Sequence, residues 1–491
     1  LVLVCVAACH HSSAHVVDAI ADATADATID AGDPCAACTT DQTCELVGCG
    51  SAGPTFACAT PVPAGLPAPA CAADAADSDG DGLLDAWETA GYIDVNCNGV
   101  NDGDGVDVQL PGAHVASPDL YIEIDYLERP SDSCNPGPCT TCAIDDDCAG
   151  IPGEQCGSGG VCVHTHRPKQ AAIDAVTTAL ARGVYLHVDA SHADAIPEAG
   201  KSVVTFMTLN PVCTGTDGTA VRFQDLKQQY FFHGSAAFDA VRRRVYHYAV
   251  FAHYSSCPPG PSGDSEQYCS QCPIDRGGNA PKSGATGTGE TPGNDFVVSL
   301  GSYLFDTGLP LTANLEGGTF MHELGHNLGL GHGVALDASN NPVPAQSPNR
   351  SPNYLSVMNY SYQTLGVPSA SAPGGGTAAT FALQYSDTAA CAALDEDHLD
   401  ETAGAQCGAS SQYVVYWAPG DFAGNAIGGF NHHATATTGT GVNWNLDSGN
   451  VLDTDVAVDL NNDSAHQVHR AMNDWNALHV NTSCYQWTLA D

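Results

Sequence analysis

His322, Glu323, His326 and His332 fall within one short stretch, TFMHELGHNLGLGHG (319–333). His322 and His326 are four residues apart, so a helix places both imidazoles on one face, one turn apart. Two rings so placed reach a single ion about 2 Å from each nitrogen. Glu323 stands between them, close enough to contact water at such an ion. Gly329 follows His326 by three residues. Glycine turns readily into the left-handed region there, which ends the helix, swings the chain back and delivers His332 as a third ligand. The pattern H-E-x-x-H-x-x-G-x-x-H is complete, and a chance match is on the order of 10⁻⁴. The plain alternative is a buried amphipathic helix with satisfied histidines. That reading suits the scattered His187, His247, His253 and the pair His432–His433, but not this spacing. Three histidines beside a carboxylate are a ligand set for zinc that leaves a position open to water.

A second group lies at DSDGDGLLDAWE (77–88). As a twelve-residue loop it has Asp77, Asp79 and Asp81 at positions 1, 3 and 5, and Gly82 at the sharp turn. Leu83 offers a backbone carbonyl, Asp85 lies at position 9, and Glu88 at position 12 binds bidentately. That is the ligand set of a calcium ion, and without one three aspartates so close would repel each other. The stretch resembles the calcium loops of dockerin and thrombospondin type 3 repeats. DVNCNGVNDGDGVD (94–107) reads as a degenerate second loop lacking the final Glu, and 443–463 has a similar acidic character.

The elements that must hold these groups follow from pattern. DLYIEIDYLE alternates Leu120, Ile122, Ile124 and Tyr126 and predicts a strand. RPKQAAIDAVTTALARG (167–183) puts Ala172, Val176, Ala179 and Leu180 on one face and predicts a helix ending at Gly183. VYLHVDA then predicts a second strand, so the unit suggests a parallel crossover. RRRVYHYAVFAHY and NDFVVSLGSYLF predict two more strands, with Arg242–Arg244 in a solvated loop or at a strand start. GGTF (317–320) reads as a flexible entry to the histidine helix.

Of the 491 residues, 56 are Asp or Glu and 14 are Lys or Arg, a net charge of −42. Such a balance argues against nucleic acid and anionic membrane surfaces, which select basic patches. Cysteine is abundant, 22 residues, many in short Gly/Pro/Asp-rich stretches. Two of these, CAACTTDQTCELVGCGSAGPTFAC (35–58) and CTTCAIDDDCAGIPGEQCGSGGVC (139–162), open C-x2-C-x5-C and form an internal repeat. Zinc ribbons are one reading of the C-x2-C pairs. Disulfide modules of an oxidising compartment fit an exported, cysteine-dense chain better, with a connectivity that spacing does not reveal. LVLVCVAACHH resembles a signal peptide ending in a lipobox, which makes Cys9 a candidate for lipidation and the only route to a membrane. The expected location is extracellular or on the cell surface. The expected organisation is a signal remnant (1–8), an Asp/Ala-rich tether (9–33), a cysteine module with Pro-rich linker (34–72), a calcium-loop segment (73–112) and a large domain (113–483) with a cysteine-rich insertion (134–163).

The histidine motif resembles that of the metzincin zinc proteases. Their second hallmark is a Met-turn beneath the metal, and PNYLSVMNYSYQ (352–363) is similar to it. The resemblance implies that Met358 underlies the ligands and that Tyr360 lies near the zinc, where it would hydrogen-bond a developing oxyanion. It also implies an α+β fold: a twisted mixed, mainly parallel sheet over the active-site helix, and an irregular C-terminal subdomain. The strand at 294–300 would be the edge along which an extended peptide lies. The expected activity is hydrolysis of peptide bonds in a protein or peptide substrate, with Glu323 as general base and Zn²⁺ and Ca²⁺ as cofactors. Two other classes fit the same letters: a calcium-dependent surface adhesion protein, and a zinc hydrolase of a non-peptide amide.

Overall fold

A computed structural model describes residues 43–50, 53–59, 76–130, 140–142, 145–148, 154–156, 160–191, 195–197, 203–205, 220–252, 286–300, 312–336, 349–369, 380–387, 391–407, 414–420, 422, 432–435, 440–448, 451–480 and 489–490. Cys9, the tether, the Pro-rich linker and His253 lie outside the described residues.

The alternation of Leu120, Ile122, Ile124 and Tyr126 becomes strand β1 (Asp119–Pro130), and all four side chains are buried. Tyr121, Glu123, Asp125 and Leu127 between them are buried as well, so β1 is covered on both faces. Strands β2 (Glu154–Cys156) and β3 (Cys162–Thr165) come next, then helix α1 (Gln170–Leu180) and strand β4 (Tyr185–Asp189). Helix α2 (Ala236–Val245) leads into strand β5 (Tyr246–Ala252). Strands β6 (Gly287–Glu290) and β7 (Asp295–Ser299), helix α3 (Ala313–Asn327) and strand β8 (Leu489–Ala490) complete the set around the site.

These strands join one nine-stranded sheet in the order β8-β6-β7-β5-β1-β3-β2, with β4 and Ala195–Pro197 also paired to β1. Pairing is parallel at the centre, where β1 meets β4 and β5, and β5 meets β7. It is antiparallel at both flanks, for β6 with β7 and β8 and for β3 with β1 and β2. The fold is therefore α+β with a mixed sheet. Two expectations are corrected by this order. The strand over 294–300 is β7, an interior strand, and the strand outside it is β6. The cysteine-rich insertion is not only a surface appendage, because β2 and β3 extend the sheet.

Within that insertion Cys142 pairs with Cys156 and Cys148 with Cys162, and in the C-terminal part Cys391 pairs with Cys407. Cys142, Cys148 and Cys162 are thus committed to disulfides rather than to a zinc ribbon.

One face of the sheet buries Leu120, Ile122, Ile124 and Tyr126 against Val176 and Leu180 of α1 and Phe320, Met321 and Leu324 of α3. The opposite face buries Tyr121, Leu127, Tyr248 and Val250 against Phe238 and Val241 of α2, and also against Leu83, Ile93, Val95, Val108 and Leu110. The acidic-loop segment therefore shares a core with the back of the sheet. Arg242–Arg244 close α2 instead of forming a loop. Arg242 is buried, pairs with Glu123 of β1 and lies over the rings of Phe231 and Tyr246. Its apolar stem and planar head suit that position, since guanidinium stacks on aromatic faces. A third core, with Leu355, Tyr362, Trp417, Trp444 and Leu460, underlies the C-terminal part, whose strands are short and scattered.

Candidate metal centre

Thr312 caps α3, its hydroxyl accepting from Leu315 N at 3.1 Å. Glu316 in the first turn is paired with Lys169 at 3.0 Å, which ties α3 to the start of α1. Gly317 and Gly318 are buried inside the helix and are not a flexible entry. A Cβ on Gly318 would meet Gln363 O at 1.9 Å, so the glycine serves close backbone approach. At the other end Gly329 has φ +87°, and Leu330 N donates to Gly325 O at 2.8 Å. The left-handed residue turns the chain as expected, and His332 returns to the helix.

The Nε2 atoms of His322, His326 and His332 form a triangle. The 322–332 and 322–326 edges are 3.2 Å and the 326–332 edge is 3.1 Å. Nitrogens bound about 2.0–2.1 Å from one tetrahedral ion stand roughly 3.3 Å apart, so the spacing fits zinc. Proton accounting points the same way. His322 Nδ1 lies 2.8 Å from Val357 O, and His326 Nδ1 lies 2.8 Å from Leu330 O. A carbonyl only accepts, so each Nδ1 carries the proton, and in a neutral ring each Nε2 then presents a lone pair. Lone pairs 3.2 Å apart repel, and a shared cation turns that repulsion into ligation. The carbonyls also fix ring orientation, as the partners of metal-bound histidines do.

Met358 is fully buried beside α3 at Gly325. A Cβ on Gly325 would stand 2.3 Å from its sulfur, so the bare glycine between His322 and His326 is what admits the methionine. Tyr360, 39% exposed, sets its ring 4.6 Å from that of His332 and 5.4 Å from that of His322. Its backbone N–H is held by Asn349 Oδ1 at 3.1 Å. Glu323 is buried, and its carboxylate lies against β6: a Cβ on Gly287 would meet Glu323 Oε1 at 2.4 Å. Asn327 then locks the helix end to the sheet. Its amide donates to Glu290 O and Asp295 O, both at 3.0 Å, and its Oδ1 accepts from His247 Nδ1 at 3.1 Å. Burial holds His247 well below its ordinary range, at about 4, so it is a neutral core histidine.

The acidic loop gathers a slightly different set from the expected one. Asp77, Asp79 and Asp81 converge, and Asp81 and Glu88 converge with Asp119 at the start of β1. Asp77 accepts from Gly80 N and Gly82 N, and Asp81 from Leu83 N and Asp119 N, which shapes the loop. Leu83 packs into the back core. Asp85 falls in neither group; its Oδ1 accepts from Ser78 N and its Oδ2 from Ser78 Oγ, both at 2.8 Å. Both oxygens of Glu88 are buried without a hydrogen-bond partner. Burial first, then the charges of Asp81, Asp79 and Asp119, push the Glu88 carboxyl up to about 8, while burial pushes Asp81 up to about 7. Carboxylates so crowded fit a divalent cation far better than an empty loop.

Asp119 and His187 were not legible as site residues. Asp119 accepts from His187 Nε2 at 2.7 Å and from His114 Nδ1 at 2.9 Å, so His187 belongs to a polar group and not to an isolated position. Val357, Leu330, Asn349 and Asn327 were missed as well. Three of the four act through backbone carbonyls or amide groups whose targets are distant in sequence, and no residue-type signal marks them.

Comparison with protein-family models, with curated proteins and with solved structures found no match to this chain. Among the described residues no helix is long and apolar enough to cross a membrane.

Proposed function

We propose that the chain is a zinc-dependent endopeptidase that hydrolyses peptide bonds of extracellular proteins. The observation that carries this reading is the triangle of three imidazole nitrogens, two of them forced into the acceptor form by their Nδ1–carbonyl bonds. His322, His326 and His332 would hold the ion, which when bound supplies Lewis acidity towards water and a carbonyl group. Glu323 acts as general base through a carboxylate oxygen, taking a proton from the attacking water and passing it to the leaving amine. Its burial against Gly287 keeps that carboxylate in one place. Tyr360, beside two ligand rings, donates its hydroxyl to the oxygen on which negative charge develops.

Strand β6 lies next to Glu323, and among the described residues its outer edge is paired only at Gly289 and Glu290. Gly287 and Thr288 are therefore the stretch on which an extended peptide backbone would lie by strand addition. A calcium ion held by Asp77, Asp79, Asp81 and Glu88, with Asp119 in place of Asp85, would brace the back of the sheet. The disulfides support an oxidising compartment.

Digestion of a denatured protein substrate by the purified chain tests the reading, with and without a zinc chelator and beside Glu323→Ala. Hydrolysis by the parent that is lost with chelator and in the variant is expected. Equal rates for parent and variant would exclude Glu323 as the base, and turnover of small amides with no protein cleavage would replace the substrate class.

A further inference from the structure

A second acidic loop lies in the C-terminal part, overlapping the stretch 443–463. Asp459, Asn461, Asp463 and Gln467 follow one another at the spacing of positions 1, 3, 5 and 9 of a calcium loop. Asp459 accepts from Ser464 N at 2.8 Å, five residues on, as Asp77 accepts from Gly82 N at 3.1 Å. Asp463 accepts from Ala465 N, two residues on, as Asp81 does from Leu83 N. Ser464 has φ +66°, the left-handed turn that Gly82 makes at φ +94°.

Backbone shape alone does not make a site; the amides do. Asn461 and Gln467 are 6% and 4% exposed, and Asn461 Oδ1 and Gln467 Oε1 are buried with no hydrogen-bond partner. Their NH₂ groups instead crowd one carboxylate oxygen, Asp463 Oδ2, at 3.0 and 2.7 Å. Asn461 Oδ1 and Gln467 Oε1 are left as buried acceptors with no donor, and positive charge at the loop would satisfy them. A divalent cation at Asp463 supplies that charge. On binding, the Gln467 amide would turn by half a rotation and bring Oε1 inward, since amide O and N occupy nearly the same shape.

We propose that Asp459, Asn461, Asp463 and Gln467, with the backbone carbonyl of Ala465, bind a calcium ion separate from the one at residues 77–88. The ligands are all oxygen, as a hard cation requires, and two aspartates balance its charge. Arg470 stands where a bidentate Glu would complete the strongest loops, so affinity falls in the weak range, about 10⁻⁵–10⁻³ M. The ion has a structural target. Asn461 Nδ2 donates to Asn349 O at 3.1 Å, and Asn349 Oδ1 holds Tyr360 N at 3.1 Å. The loop thereby braces the segment that carries Tyr360.

Calcium titration of the full chain by calorimetry, with melting curves in calcium and in a calcium-selective chelator, tests this directly. Asp463→Asn is expected to bind one ion fewer than the parent. Asn461→Asp adds a carboxylate and is expected to bind about tenfold tighter, melting above the parent in calcium and below it in chelator. An unchanged ion count in Asp463→Asn, or an Asn461→Asp variant that melts equally low in both conditions, overturns the site. Should Asp463→Asn fail to fold, Asn461→Asp decides alone. None of these readouts involves hydrolysis, so they stand or fall apart from the peptidase reading.

Discussion

Gly325→Ala is the sharpest probe of how the proposed metal centre is held. A Cβ at this position would lie 2.3 Å from Met358 Sδ, 3.1 Å from Met358 Cε and 3.1 Å from Tyr385 Oη. Ordinary heavy-atom contacts are about 3.5–4 Å, so the sulfur must retreat by more than about 1 Å. Neither neighbour has room, since Met358 and Tyr385 are buried and the Tyr385 hydroxyl is fixed to Met321 O at 2.6 Å. Two effects on stability oppose each other. Alanine in a helix gains about 1 kcal/mol over glycine, and overpacking a full core costs about 1–3 kcal/mol. The net is a loss of roughly 0–2 kcal/mol. The larger effect falls on the metal. Met358 is joined directly to Val357, whose carbonyl holds His322 Nδ1 at 2.8 Å. Disturbing such a partner typically costs 10–100-fold in metal affinity, so about that loss is expected. Zinc competition against a chromophoric chelator measures it, with melting curves of the zinc-loaded and zinc-free forms alongside. A variant that keeps the parent's zinc affinity and melts higher by the full propensity gain would refute the idea that Met358 packing sets His322.

Three further outcomes are expected. Gly287→Ala drives a Cβ into the Glu323 carboxylate; a shift of about 1 Å should lower turnover by about 10²-fold while zinc content stays unchanged, and a parental rate would mean that Glu323 does not act from this position. Glu88→Gln removes one of the crowded carboxylates, so the calcium-free chain should melt no lower than the parent while the gain on adding calcium shrinks; an undiminished gain would remove Glu88 from the ligand set. His247 has its folded pKa depressed from 6.5 to about 4, so the unfolded chain binds more protons in that window and stability falls as pH drops from about 6.5 to 4, by about 3 kcal/mol in full. Denaturant titrations across that range should show a shallower slope in His247→Gln, and an identical slope would place the acid sensitivity elsewhere.

Features that depend on neighbours in the chain were legible in the letters. Helical period puts His322 and His326 on one face, a glycine at the turn brings His332 back, and the structure has φ +87° at Gly329. Period-two alternation marked β1, and the one-face pattern of Ala172, Val176 and Leu180 marked α1. The aspartate spacing at 77–81 likewise shapes a loop through its own backbone amides. Features that depend on what packs alongside were not legible. Arg242–Arg244 read as a solvated run, yet tertiary packing buries Arg242 between Glu123 and aromatic rings. The strand over 294–300 could not be told from an edge, because its partner β6 precedes it by a turn and its other partner β5 lies far back in the sequence.

What the sequence determined by itself is therefore the convergence of His322 and His326 and the local turn that returns His332 to them, since hydrogen-bond geometry and side-chain period act over a few residues. What tertiary structure alone decided is how those side chains are held. Val357 O orients His322, Met358 fills the space that Gly325 leaves, Gly287 makes room for Glu323, and Asp119 joins Asp81 and Glu88 at the acidic loop. Each of these is a close approach between segments distant in the chain. Such contacts depend on strand order and on the volume left by small residues, and neither is written in the spacing of any one segment.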